Sequence, residues 1–163
     1  MTIRFINYTM FLNKTIASIF GIGFLKGGGT YAAIVTCGLI WLLWQSPALQ
    51  NPWYLFAITI FITALGVYVG NKVEPEWGED SSRVVIDEVA GMLIAMLFIP
   101  ANLYFLLAGL VLFRFFDIVK PLGIRKMEDL GGGLGVMMDD VLAGVYSNIL
   151  LWAGYFLWMK FGK

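Results

Sequence analysis

The chain has no histidine and a single cysteine, Cys37, among its 163 residues. The first absence excludes a phosphohistidine intermediate, a Ser-His-Asp triad, a Cys-His pair and a histidine-ligated zinc. The second excludes a disulfide framework and a thiolate metal cluster. Cys37 itself lies in the apolar run IVTCGLIWLLW, where the expected role is that of a small buried hydrophobe. Charge is scarce too: 13% of residues are Asp, Glu, Lys or Arg, against about 25% in soluble domains. Acidic and basic residues number 11 each, so no net basic field exists to attract nucleic acid. Acid–base or metal chemistry must therefore come from Asp, Glu, Lys, Tyr or water.

Apolar residues fill the space these absences leave. They make up 60% of the chain, and the mean hydropathy is +0.80, which points to an integral membrane protein. The first residues lack the small-residue cleavage signature of a signal peptide. Residues 15–24 read as a short apolar helix, broken by Gly27-Gly28-Gly29, with Thr30 as the N-cap of the next helix, 31–44. Residues 53–73 form an apolar run of the length that crosses a bilayer. The polar segment NKVEPEWGEDSSR follows, then an apolar run over 84–99 and a tight connection at Pro100-Ala101-Asn102. A helix over 103–119 is stopped by Pro121 and Gly123, and a polar, glycine-rich loop occupies 120–135. The last helix runs from about Val136 to Phe161 and is closed by Lys160 and Lys163.

The expectation is an all-α fold: one domain over residues 1–163, a compact membrane-embedded bundle of about six helices, with roughly four or five of them spanning. If the helices alternate in direction, the charged connections meet on one face. Lys26, Lys72, Arg83, Lys120, Arg125 and Lys126 then mark that face as cytoplasmic, while Lys160 and Lys163 fall on the other.

The residues able to do chemistry are few. Asp87 and Glu88 sit in the first turns of an apolar helix, where a carboxylate needs a cation or a donor, and Arg83 is one turn away. Asp139 and Asp140 precede another apolar helix, where helix capping is the competing explanation. The two acidic pairs echo each other, Asp87-Glu88-Val-Ala-Gly91 and Asp139-Asp140-Val-Leu-Ala-Gly144. Arg114 and Asp117 share one helical face, with Lys120 a turn further on. Gly131, Gly132, Gly133 and Gly135 allow backbone N–H groups to approach an anion, although the lysine of a P-loop is missing. The mix is one of carboxylates suited to a metal and cations suited to a phosphate.

Four stretches together resemble the phosphatidylglycerophosphatase A family: FRFFDIVKP, GGLGVMMDDVLAG, EDSSRVVIDEVAGM and GGGTYAA. The likeness runs from about residue 19 to 150. The chain departs from the family pattern at Gly28 and Gly123, where proline is common, and at Glu79-Asp80, where the family commonly has His-Asp. The resemblance implies a Mg²⁺-dependent lipid phosphatase of the cytoplasmic membrane, its site facing the cytoplasm. The implied reaction turns phosphatidylglycerophosphate into phosphatidylglycerol and phosphate. Mapped onto this chain, it implies Asp87, Glu88, Asp117, Asp139 and Asp140 as catalytic and metal-holding residues. Gly29, Thr30, Arg114, Lys120 and Arg125 are implied as the phosphate-binding set. A lipid phosphomonoester and the membrane are the expected partners, with no nucleic acid and no protein partner signalled. The competing readings are a transporter that uses the carboxylates for cation passage, and a structural membrane protein in which they cap helices.

Overall fold

The computed structural model describes residues 2–161. Its described residues form six α-helices: α1 (Thr2–Ala17), α2 (Gly28–Gln45), α3 (Pro52–Trp77), α4 (Ile86–Ala95), α5 (Leu103–Val119) and α6 (Gly132–Phe161). Short 3₁₀ turns at Ile22–Phe24, Pro47–Leu49 and Ile124–Leu130 join them. The fold is an all-α bundle, as the apolar runs and the glycine and proline breaks between them predict. Lys163 lies outside the described residues.

The short helix α4 is the hub. It packs on α2, α3, α5 and α6, and eight of its ten residues are buried, from Ile86 to Ala95. Its crossing with α6 is close because both helices present glycine there. A Cβ on Gly144 would stand 2.4 Å from the Gly91 carbonyl oxygen, and one on Gly91 would stand 2.4 Å from the Phe113 ring. The start of α4 is pinned by the end of α1, where Val85 N–H donates to Ala17 C=O at 2.9 Å.

Outward-facing side chains are apolar along most of the bundle, among them Phe61, Tyr104, Val111 and Ile118. The helices α3 and α6 are long and apolar enough to cross a membrane, and only 28% and 22% of their apolar windows are buried inside the protein. A soluble core helix would bury far more, so length, composition and exposure of these two helices all suit a membrane span.

Several boundaries differ from the sequence expectation. Residues 15–24 are not one helix: α1 ends at Ala17, and Ile19, Phe20 and Gly21 turn the chain with positive φ. The cap of α2 is Gly27 at φ 79°, not Thr30, because a left-handed residue is needed where the chain enters the helix. Helix α3 extends through Glu74 and Pro75 to Trp77, taking in part of the expected polar connection. The glycines at the start of α6 are helical, which moves its beginning from about Val136 back to Gly132. Two helices rather than four or five meet the length and hydropathy of a span among the described residues. The remainder are shorter: α5 has 17 residues and α4 only 10.

Candidate active site

Three helix segments bring the charged residues to one end of the bundle. The N-terminus of α4 contributes Asp87 and Glu88, the C-terminal turns of α5 contribute Arg114 and Asp117, and the third turn of α6 contributes Asp139 and Asp140. Carboxylate oxygens of Asp87, Glu88 and Asp140 all lie within 4.8 Å of one another. The Gly91–Gly144 crossing explains this approach, since each glycine follows its acidic pair by one turn and sets the two pairs side by side.

The two pairs are held alike. Asp87 Oδ1 accepts the Glu88 N–H at 3.1 Å, and Asp139 Oδ1 accepts the Asp140 N–H at 3.0 Å. Arg114 bridges to α4 and within α5, its Nη1 lying 2.5 Å from Asp117 Oδ2 and 3.7 Å from Glu88 Oε1. Lys120 caps α5 in the left-handed conformation, φ 47°, and its Nζ donates to Asp139 Oδ2 at 2.5 Å. A non-glycine residue in that conformation is strained, and such strain collects at functional sites.

The arrangement is short of positive charge. Five carboxylates face two cations, which leaves three negative charges uncompensated when all are ionised. Glu88 Oε2, Asp140 Oδ1 and Arg114 Nε are buried without a hydrogen-bond partner. Burying such groups unmatched is costly, so the set is built for a guest. A divalent cation with oxygen preference fits the carboxylates, and a phosphate fits the free edge of the guanidinium.

Gly29 opens the site from α2. A Cβ there would stand 1.8 Å from Glu88 Oε1 and 3.2 Å from Arg114 Nη1. Thr30, next to it, has an exposed side chain, and its N–H already donates to Gly27 C=O at 3.0 Å. Arg125 is likewise exposed, carried outward by the 3₁₀ stretch Ile124–Leu130, and no ion pair joins it to the carboxylates among the described residues. Helix capping does not account for Asp139 and Asp140, because α6 begins two turns earlier at Gly132.

The glycines before the second acidic pair serve packing. A Cβ on Gly133 would stand 2.3 Å from Val67 C=O, and Gly133 N–H donates to Asn71 Oδ1 at 2.8 Å. Asn71 was missed by the sequence reading. Its place one position after Gly70, in the last turns of the long apolar helix α3, is the available signal.

A sequence model of the phosphatidylglycerophosphatase A family matches residues 15–155. The chain belongs to that family. The family consists of phosphoric monoester hydrolases, so this is an enzyme fold. Among its relatives is a Bacteroides thetaiotaomicron protein named "Putative phosphatidylinositol-3-phosphatase", 46% identical over 86% of this chain and 92% of the relative. The phosphatidylglycerophosphatase A of Escherichia coli is 36% identical over 64% of this chain and 63% of its own length. The Haemophilus influenzae protein of the same name is 41% identical over 55% of the chain and 56% of its own length. No solved structure matches the chain.

Proposed function

We propose that the chain is a Mg²⁺-dependent phosphatidylglycerophosphatase, hydrolysing the phosphomonoester of phosphatidylglycerophosphate to phosphatidylglycerol and inorganic phosphate. The observation that carries this reading is the approach of Asp87, Glu88 and Asp140 to within 4.8 Å, beside the Arg114 guanidinium. Family membership supports the reaction class, and the names of two relatives support the substrate.

Asp87, Glu88 and Asp140 would hold the ion, with Asp117 and Asp139 beside them. Bound there, Mg²⁺ supplies electrophilic polarisation of the phosphoryl group. The chain's own residues do the rest. Arg114 grips phosphoryl oxygens through its unbonded Nε edge, and Asp117 fixes the plane of the guanidinium. Lys120, oriented by Asp139, adds the second positive charge. Gly29 leaves room for the Glu88 carboxylate, which stands where a Cβ would otherwise be. The acyl chains stay in the bilayer against the apolar flanks, and the basic residues Lys26, Lys72, Arg83 and Lys126 support a site at the cytoplasmic face of the inner membrane. The whole chain acts as one domain.

A second reading shares the chemistry and changes the headgroup. The Bacteroides thetaiotaomicron relative, matched over 86% of this chain, carries the name of a putative phosphatidylinositol-3-phosphatase. Phosphate release from purified protein in mixed micelles, with phosphatidylglycerophosphate or phosphatidylinositol-3-phosphate, with Mg²⁺ or with chelator, separates the readings. The expected result is Mg²⁺-dependent release from phosphatidylglycerophosphate. Faster turnover of the inositol lipid moves the assignment to the second reading. No release from either lipid refutes the enzyme reading and favours a transporter or a structural role.

A further inference from the structure

The turn that carries Lys120 is strained and gets little support from its own side chains. Lys120 and Leu122 both adopt left-handed backbone, φ 47° and 55°, and Gly123 follows at φ 87°. Non-glycine residues stay in that region only where the surroundings over-determine them. Within the turn, Leu122 is 78% exposed and Pro121 is half-buried. The chain is anchored again only at Ile124, whose side chain is fully buried in the core.

Helix α6 supplies what the turn lacks. The Tyr146 hydroxyl donates to Leu122 C=O at 3.1 Å. Its ring is set by Phe116, with centroids 5.7 Å apart and the planes inclined at 64°. Phe116 also closes the last turn of α5, where its C=O accepts Lys120 N–H at 2.8 Å. Tyr146 stands seven residues after Asp139, which puts both on one face of α6 and about 10 Å apart along its axis. That face therefore grips the turn twice, through Asp139 at the Lys120 ammonium and through Tyr146 at the Leu122 carbonyl. The first contact fixes the tip of a flexible side chain, and the second fixes the backbone it springs from. A compact charge on a four-carbon stem has many rotamers, so the position of the Lys120 Cα decides where its ammonium can stand.

We infer that Tyr146 is a positioning residue of the site: its hydroxyl holds the turn from Lys120 to Gly123 so that the Lys120 ammonium stands beside Asp139, ready for the phosphoryl group of the substrate. This inference rests on the phosphatase reading, in which Lys120 supplies positive charge to that group. Tyr146 acts through the turn alone, so its effect on the reaction exists only while Lys120 is present.

Tyr146→Phe tests this, because it removes the hydroxyl and keeps the ring against Phe116. In mixed micelles with Mg²⁺, its kcat/KM for phosphatidylglycerophosphate should fall about three- to tenfold, the worth of one neutral hydrogen bond. The inhibition constant of inorganic phosphate should rise by a similar factor, while Mn²⁺ binding stays as in the wild type. Lys120→Met should cost about ten- to a hundredfold. Adding Tyr146→Phe to Lys120→Met should then cost less than about twofold more, since the two act as one unit. Equal effects of Tyr146→Phe with and without the lysine overturn the inference, as do wild-type kinetics in either single variant. A second measurement does not depend on turnover. Backbone hydrogen exchange over residues 120–124 should be about three- to tenfold faster in Tyr146→Phe than in the wild type, with α4 unchanged. Unchanged exchange over 120–124 overturns the inference, whereas a protein that releases no phosphate yet shows the faster exchange loses only the phosphatase reading.

Discussion

The two ends of the bundle are built on opposite plans. At the end away from the carboxylates, α3 and α5 start on asparagine caps: Asn51 Oδ1 accepts Trp53 N–H at 3.0 Å, and Asn102 Oδ1 accepts Tyr104 N–H at 2.8 Å. Pro52 opens α3, the connections carry no charge, and Trp53 meets Phe56 and Phe98 edge to face with centroids 5.6 and 5.4 Å apart. At the charged end, α4 begins at Val85 without a side-chain cap, α2 enters through a left-handed glycine, and α5 leaves through a left-handed lysine. Five carboxylates crowd there around two cations. One end uses local devices that favour folding. The other withholds them and concentrates strain and like charge, as expected where a ligand supplies the missing energy.

The sharpest way to break this comparison is Asp140→Asn. If the charged end is built for a guest, removing one carboxylate lowers kcat/KM by about 10²–10³-fold, while thermal stability holds or rises because repulsion is relieved. A loss of stability matching the loss of activity would make Asp140 a structural residue. Gly91→Val attacks the crossing that joins the two acidic pairs. Its side chain has no room against Phe113 and the Asp140 carbonyl, so stability should fall by about 1–3 kcal/mol in chemical denaturation, with activity lost alongside it. Arg114→Lys keeps the charge and loses the planar fork. The expected cost is about five- to 150-fold in kcat/KM with little change in stability, and normal kinetics would reduce Arg114 to a partner of Asp117. Asn102→Ala, at the far end, should cost about 1 kcal/mol of stability and leave kcat/KM untouched.

The same contrast explains what the sequence made legible. Helix α5 is placed to the residue, because Asn102 before it and Pro121 after it act through neighbours in the chain. The acidic pairs were visible as charges in apolar surroundings. Their supports were not. The role of Gly91 and Gly144 depends on two helices crossing 53 positions apart in sequence, and only coordinates show that a Cβ at either has nowhere to go. Gly133 read as part of an anion loop because glycine near Asp suggests one. Its actual constraint comes from Val67 and Asn71 across the helix interface. Thr30 looked like a cap because its side chain suits one, yet the turn required positive φ and took Gly27. Arg125 is implied by the resemblance as a phosphate contact, and the 3₁₀ stretch leaves its side chain exposed.

The central claim is that residues of α4 and α6 meet to form one divalent-cation site. The most direct measurement is a Mn²⁺ titration of the purified protein followed by electron paramagnetic resonance, with Mg²⁺ as competitor. The account predicts saturable Mn²⁺ binding displaced by Mg²⁺, weakened at least about 10- to 100-fold in both Asp87→Asn and Asp140→Asn. Asp129→Asn, on the exposed 3₁₀ stretch, should bind as the wild type does. No saturable binding by the wild-type protein, or wild-type affinity in Asp140→Asn, would contradict it.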